Sequence, residues 1–196
     1  MPSQMLPSLL LYILVLGYTP GPSNLCAFHS GIHFGRTNAM KIWFGFLTAF
    51  IIIDAILIGA AHSLGEILGN YAKWAAYLGA AYMIFLAVSI LLKSGKSKEE
   101  KAKSCTFRTG FVIEFSNAKV WMFCITALCT YVLPYSTELV DLAKVGALLI
   151  LAGPVANLVW LLMGARLEHL SESHGRLIDA ILAAALVACA LLLILK

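Results

Sequence analysis

Charge is what this chain has little of. Aspartate, glutamate, lysine and arginine make up 12% of its 196 residues, and none of the four occurs between Met1 and Gly35. A soluble domain of this length needs a charged skin over its apolar interior, so a soluble globular fold is excluded. The uncharged start also lacks the basic region of a secretory signal peptide, and the first segment is expected to be retained. Cys-X-X-Cys pairs are missing. The five cysteines (Cys26, Cys105, Cys124, Cys129 and Cys189) are odd in number and lie mostly in apolar stretches, as buried thiols do. Paired catalytic carboxylates and a His-Glu-X-X-His helix motif are missing too, so hydrolytic chemistry has no support, and neither an enzyme nor a cofactor is expected. The net charge of +4 is small and unevenly placed, which points to membrane orientation and not to nucleic acid.

What the chain has in abundance is apolar side chain, at 61% of residues and a mean hydropathy of +0.88. Crossing a hydrocarbon core about 30 Å thick takes roughly 20 apolar helical residues. Apolar runs bounded by charge or turn residues fall at 5–34, 42–62, 71–92, 111–133, 144–165 and 177–195. They predict an all-α polytopic membrane protein of about six transmembrane helices. The stretch from Lys93 to Lys103 is too charged to enter lipid and straddles the midpoint. The chain therefore reads as a single membrane transport domain, 1–196, in two halves of about 1–92 and 109–196 joined by a basic loop, 93–108. Loops after the first, third and fifth segments hold ten lysines and arginines, against Lys73, Lys144 and Lys196 on the other side. The positive-inside rule then places loop 93–108 in the cytoplasm and both termini outside. Three helices before the loop and three after make any internal repeat an inverted one, with a site near the midplane where the halves meet.

Several polar residues interrupt these runs. Thr19-Pro20-Gly21-Pro22-Ser23-Asn24 sits inside the first segment, where the two prolines remove amide donors and Gly21 loosens the chain. A lone proline would read as a kink that neighbouring helices make good. Two prolines, a glycine and an asparagine in one hexad predict a broken first helix. Thr19 then reads as the cap of a new half-helix whose free amides suit a carboxylate. In the fourth segment, Lys119 lies about 14 Å beyond Gly110 along a helix, near mid-membrane, while Glu114 is expected nearer the interface. Asp54 is the one acid inside the second segment, and an intramembrane carboxylate marks a candidate functional site or an ion pair, here with Lys119. Asn157 follows Pro154 at similar depth, where an interhelical hydrogen bond is its plainer role. Cys26, His29 and His33 share one helix face with ligand types that zinc or cadmium accept, although no fourth ligand is evident. His62, His169 and His174 read as segment-end residues.

The hexad from Thr19 to Asn24, the charged loop after three helices, and Asn117-Ala118-Lys119 together resemble the LysE/RhtB family of amino-acid exporters. Leu78–Ala87, Phe115–Val120, Thr126–Pro134, Asn157–Trp160 and Gly175-Arg176 are similar to its cysteine/O-acetylserine-exporting branch. The second motif has Ala118 where that family usually has proline, which removes the residue that would break the fourth helix. The resemblance implies a secondary exporter of a small neutral amino acid or derivative in the cell inner membrane, driven by the proton motive force. On that reading the substrate meets Thr19, Pro20, Gly21, Pro22, Ser23, Asn24, Asn117 and Asn157, while Asp54 and Lys119 handle charge. The partners are the amino acid, a proton, membrane lipid and, as an option, a second copy in a homodimer. Two alternatives differ in class: a heavy-metal cation exporter using Cys26, His29 and His33, and a membrane protein of thiol–disulfide transfer.

The cation asymmetry gives a first test. Tags at both termini should be labelled by an impermeant reagent in intact spheroplasts, and a cysteine placed in loop 93–108 only after permeabilisation. A C-terminal tag labelled only after permeabilisation would overturn the six-helix topology.

Overall fold

The computed structural model describes residues 3–68 and 106–167, with scattered single positions between 84 and 92 and between 176 and 187. Apart from those positions, the segments expected at 71–92 and 177–195, and most of loop 93–108, fall outside the described residues. All regular structure among the described residues is helical. After a 3-10 turn, Ser3–Met5, come α1 (Leu6–Tyr18), α2 (Pro22–Leu68), α3 (Phe107–Phe115), α4 (Ala118–Tyr131) and α5 (Leu139–Arg166). Two stretches are long and apolar enough to cross a membrane, Pro22–Ser63 and Leu139–Arg166, and a third results if α3 and α4, bent by 54°, count as one span. Leucines such as Leu14 and Leu151 stand 58% and 69% exposed on the outer faces, as lipid-facing side chains do.

The first segment breaks where the two prolines predicted. α1 stops at Tyr18 and α2 starts at Pro22, with Pro20 and Gly21 outside either helix. One expectation is corrected: Thr19 does not cap the new helix but closes the old one. Its hydroxyl donates to the carbonyls of Val15 (2.5 Å) and Leu16 (3.1 Å), and Pro22 is the first helical residue. Pro22 suits that place because the missing N–H of a first helical residue has no partner to lose.

At 1.5 Å per residue, the 42-residue apolar stretch of α2 would be about 63 Å long if straight, twice the hydrocarbon thickness. It is not straight. Gly35 has φ 68°, the left-handed conformation that ends helices and that glycine adopts without steric penalty. The neighbours confirm a reversal. Along residues 22–34, Phe28 and Gly31 meet Gly164 and Ala165 near the end of α5. Along residues 36–68, Trp43 Nε1 donates to Pro154 O (2.8 Å), and Asp54 lies against Gly146. Ser23 and Asn24 wall the same cavity as Phe50, Gly153 and Asn157, while Phe28 and Gly31 reach Gly164, so the first arm runs along α5 in its own direction and the second arm against it.

The fourth segment also breaks, between Phe115 and Ala118, although it has no proline there. Asn117 makes the break by its own chemistry. Its backbone is extended (φ −82°, ψ 98°) and its side-chain oxygen accepts from Lys119 N (3.1 Å), the geometry of a helix N-cap. α4 then packs antiparallel to α1, with Tyr12 stacked on Phe123 at 5.6 Å and Tyr131 Oη donating to Ser8 O.

Apolar burial gives little drive between helices in lipid, so contact relies on small residues that let backbones approach. Gly31 and Gly164 do this between α2 and α5, and Gly45 and Gly110 between α2 and α3. A Cβ on Gly31 would run into the Leu161 carbonyl, whereas one on Gly59 meets nothing within 4 Å. Gly31→Ala should therefore cost about 1–3 kcal/mol by forcing the helices apart. Gly59→Ala should be neutral or gain up to about 1 kcal/mol from helix propensity. Melting temperatures of the two variants in detergent check the contrast.

Candidate functional site

The two breaks meet. Each leaves helix ends whose peptide groups have no partner within the helix, and inside a membrane each such group must find one or cost several kcal/mol. Asn24, on the first turn of α2, reaches back so that its Nδ2 donates to Gly17 O and Thr19 O, both at 2.9 Å. Lys119, on the first turn of α4, donates from Nζ to the same Thr19 carbonyl at 2.6 Å. The ammonium thus sits at the C-terminal, negative end of α1. Gly21 makes room for it, since a Cβ there would lie 2.7 Å from Lys119 Cδ. Asn117 Nδ2 donates to Ser23 Oγ at 2.7 Å, tying one break directly to the other. Trp160 Nε1 completes the set with a bond to Tyr18 O at 3.2 Å.

A cavity opens at this crossing, and its wall includes Gly21, Ser23, Asn24, Asn117, Lys119 and Asn157. These six come from the sequence-level site. Phe50, Phe123, Val120 and Leu16 supply apolar wall. Thr19, Pro20 and Pro22 are not in the lining. They shape the break, with Thr19 and Pro20 exposed. At the start of α2, Pro22 has no N–H and Leu25 N already bonds Gly21 O at 2.8 Å, so the amides of Ser23 and Asn24 are the ones an anion could reach.

Glu114 corrects the sequence reading most. It lies buried inside the protein. It is 0% exposed, lines the cavity, and accepts at Oε1 from Asn157 Nδ2 (3.2 Å), while its Oε2 has no hydrogen-bond partner. The expected interhelical bond of Asn157 therefore exists, with Glu114 as its acceptor. The signal was present in the sequence, because Glu114 lies three residues before Asn117. Measuring depth along one continuous helix from Gly110 hid it.

Asp54 is 1% exposed, as an intramembrane acid should be, but it does not pair with Lys119. Lys119 Nζ is on Thr19 O, whereas both oxygens of Asp54 lack a hydrogen-bond partner. Asp54 faces Gly146 across the α2–α5 contact, one helical turn from Phe50 of the cavity wall. Cys26, His29 and His33 do not converge on a metal position. The His29 and His33 rings lie 4.4 Å apart, and no group of three His, Cys, Asp or Glu among the described residues could hold an ion. Cys26 packs on one apolar cluster and Cys124 belongs to the other, so these two thiols do not pair.

Comparison with known proteins agrees with the motifs that meet here. A family model described as "LysE type translocator" matches residues 14–196. The cysteine/O-acetylserine efflux protein of Escherichia coli (strain K12) is 32% identical over 179 residues, covering 91% of this chain and 92% of that protein. The proteins of the same name from Shigella sonnei (strain Ss046) and Escherichia coli O139:H28 match over the same length at 32% and 31%. No solved structure matches the chain.

The two roles of the Asn117 side chain can be separated. Asn117→Ala should lose about 1–2 kcal/mol from the cap and a further ~1 kcal/mol from the Ser23 bond. Asn117→Asp keeps an oxygen for the Lys119 amide and should restore the larger part. Thermal unfolding in detergent measures both, and equal losses would mean that the cap is not what holds the break.

Proposed function

The chain belongs to the LysE type translocator family, and from that premise we propose that it is a secondary exporter of a small neutral amino acid or derivative, of the cysteine or O-acetylserine kind. It works in the cell inner membrane, driven by the proton motive force, as one domain of two inverted three-helix halves with both termini outside. The observation that carries this reading is the cavity at the crossing of the breaks. Among the described residues, its wall has one cation, Lys119, one carboxyl, Glu114, and four uncharged polar side chains, Ser23, Asn24, Asn117 and Asn157.

A free amino acid has two opposite charges a few ångströms apart and a short side chain. The amides of Ser23 and Asn24 at the positive end of α2, with Lys119 beside them, form the pole for its carboxylate. Phe50, Phe123 and Val120 suit a small, weakly polar side chain. Thr19, Pro20 and Pro22 act by holding the half-helices apart, and Asp54, buried next to this wall, serves the coupling charge. Because α1 and α4 cross antiparallel at the breaks, tilting one half against the other would expose the cavity to each face in turn, the motion expected of inverted repeats.

Counterflow tests the assignment. Vesicles preloaded with unlabelled substrate should accumulate labelled cysteine or O-acetylserine, with lysine and cadmium inert. Accumulation of cadmium alone would overturn the proposal in favour of a metal exporter. Replacing Pro20, Gly21 and Pro22 together by alanine should restore a continuous helix and reduce counterflow at least tenfold at normal protein level. A parent rate would show that the break is only a kink.

A further inference from the structure

We propose that Glu114 takes the substrate's ammonium group, and that a proton and the ammonium compete for this one carboxylate. The inference rests on the exporter reading and adds the residue at which substrate and proton exchange. It starts from an acid whose hydrogen bond from Asn157 does not require a charge. Asn157 Nδ2 satisfies Oε1, and a glutamine would accept that bond equally well. The second oxygen is buried in a residue of the cavity wall and has no hydrogen-bond partner, an acceptor the fold itself leaves unsatisfied.

The surroundings fit this role. Among the described residues, Lys119 on α4 is the only other charged group in the lining, and its Nζ is held on Thr19 O. It balances the carboxylate without closing on it, because Oε2 has no bonded partner. Among the described residues, Cys124 on α4 also lies near enough to feel the Glu114 charge, and the Ser23 hydroxyl interacts with the same carboxyl. The lining from α2 and α5 adds only Ser23, Asn24 and Asn157 as polar side chains. A zwitterion fits with its carboxylate towards Lys119 and the start of α2, and its ammonium on Glu114.

The exchange balances as written. Protonated Glu114 and an incoming ammonium give a carboxylate–ammonium pair, and the carboxyl proton leaves to water on the side where the substrate entered. On the other side a proton returns to the carboxylate, the hydrogen bond from the ammonium is lost, and the substrate leaves. With the proton bound, Glu114 is neutral and Lys119 carries the cavity's one charge; with the zwitterion bound, the Glu114 carboxylate pairs with its ammonium and Lys119 with its carboxylate, so neither loaded state leaves a carboxylate buried without a partner. Uphill export then follows from the mutual exclusion of two ligands at one group.

Two measurements decide it. Purified wild-type protein in weakly buffered detergent should release about one proton per cysteine bound, read with a pH indicator at pH 6–7. No release overturns the proposal, whatever a variant does. In vesicles, the apparent KM of the wild type for cysteine should fall as pH on the loading side rises from 5.5 to 7.5, by up to about tenfold per unit. Glu114→Gln keeps the Asn157 bond and should melt near the wild-type temperature, show a KM that no longer changes with pH, and lose accumulation driven by a pH gradient. The same pH dependence in Glu114→Gln as in the wild type would overturn the role of Glu114 while leaving the exporter reading intact. If the wild type moves neither cysteine nor O-acetylserine, it is the exporter reading that fails.

Discussion

A helix interrupted inside a membrane must return every peptide group it exposes to some partner, because hydrocarbon offers no water. Two interruptions placed against one another meet this requirement. α1 ends in carbonyls, and the side chains that reach them, Asn24 Nδ2 and Lys119 Nζ, come from the first turns of the two helices that begin beside it. α4 begins at Asn117, whose two side-chain atoms cap its own helix and hold Ser23. Neither break would be stable alone in lipid. The rest of the described fold keeps them in register.

That register depends on close approach. Gly31 against Leu161 and Gly164 against Phe28 fix the first arm of α2 on the end of α5, while Gly45 and Gly110 do the same for the second arm and α3. The reversal at Gly35 brings Phe50 to the cavity that Ser23 also lines, although 27 positions separate them. The cavity is thus walled by helix ends and by the middles of long helices. Helix ends present free amides and carbonyls, and helix middles present side chains of fixed direction. Their combination lets a small space hold charged and apolar surface side by side.

Several of these features could be read in the residues themselves. Pro20, Gly21 and Pro22 break a helix through lost amides and backbone freedom, both local properties, and the break is where they stand. Gly35 followed by Arg36 ended the first apolar run in the sequence, and there the chain turns back. Asn24, Asp54, Asn117, Lys119 and Asn157 could be grouped by depth alone, and all but Asp54 line the cavity. The break at Asn117 was less visible because the sequence has alanine where proline would announce it. An asparagine cap breaks a helix through a side-chain bond to its own backbone, and composition does not reveal whether that bond forms.

Hydrophobic runs, helix-breaking residues and the distribution of charge by themselves determined that the chain is a membrane protein, where its first helix is interrupted, and which polar residues lie deep. These properties depend on covalent identity and on spacing along one axis. Direction around that axis was decided only in three dimensions. Depth matched Asp54 to Lys119, but rotation and tilt gave Lys119 to the Thr19 carbonyl, set Asp54 against Gly146, and turned Glu114 from an expected interface residue into the buried acid of the cavity. Partner choice between helices follows from which faces pack, and packing is a property of two surfaces at once that no single segment contains.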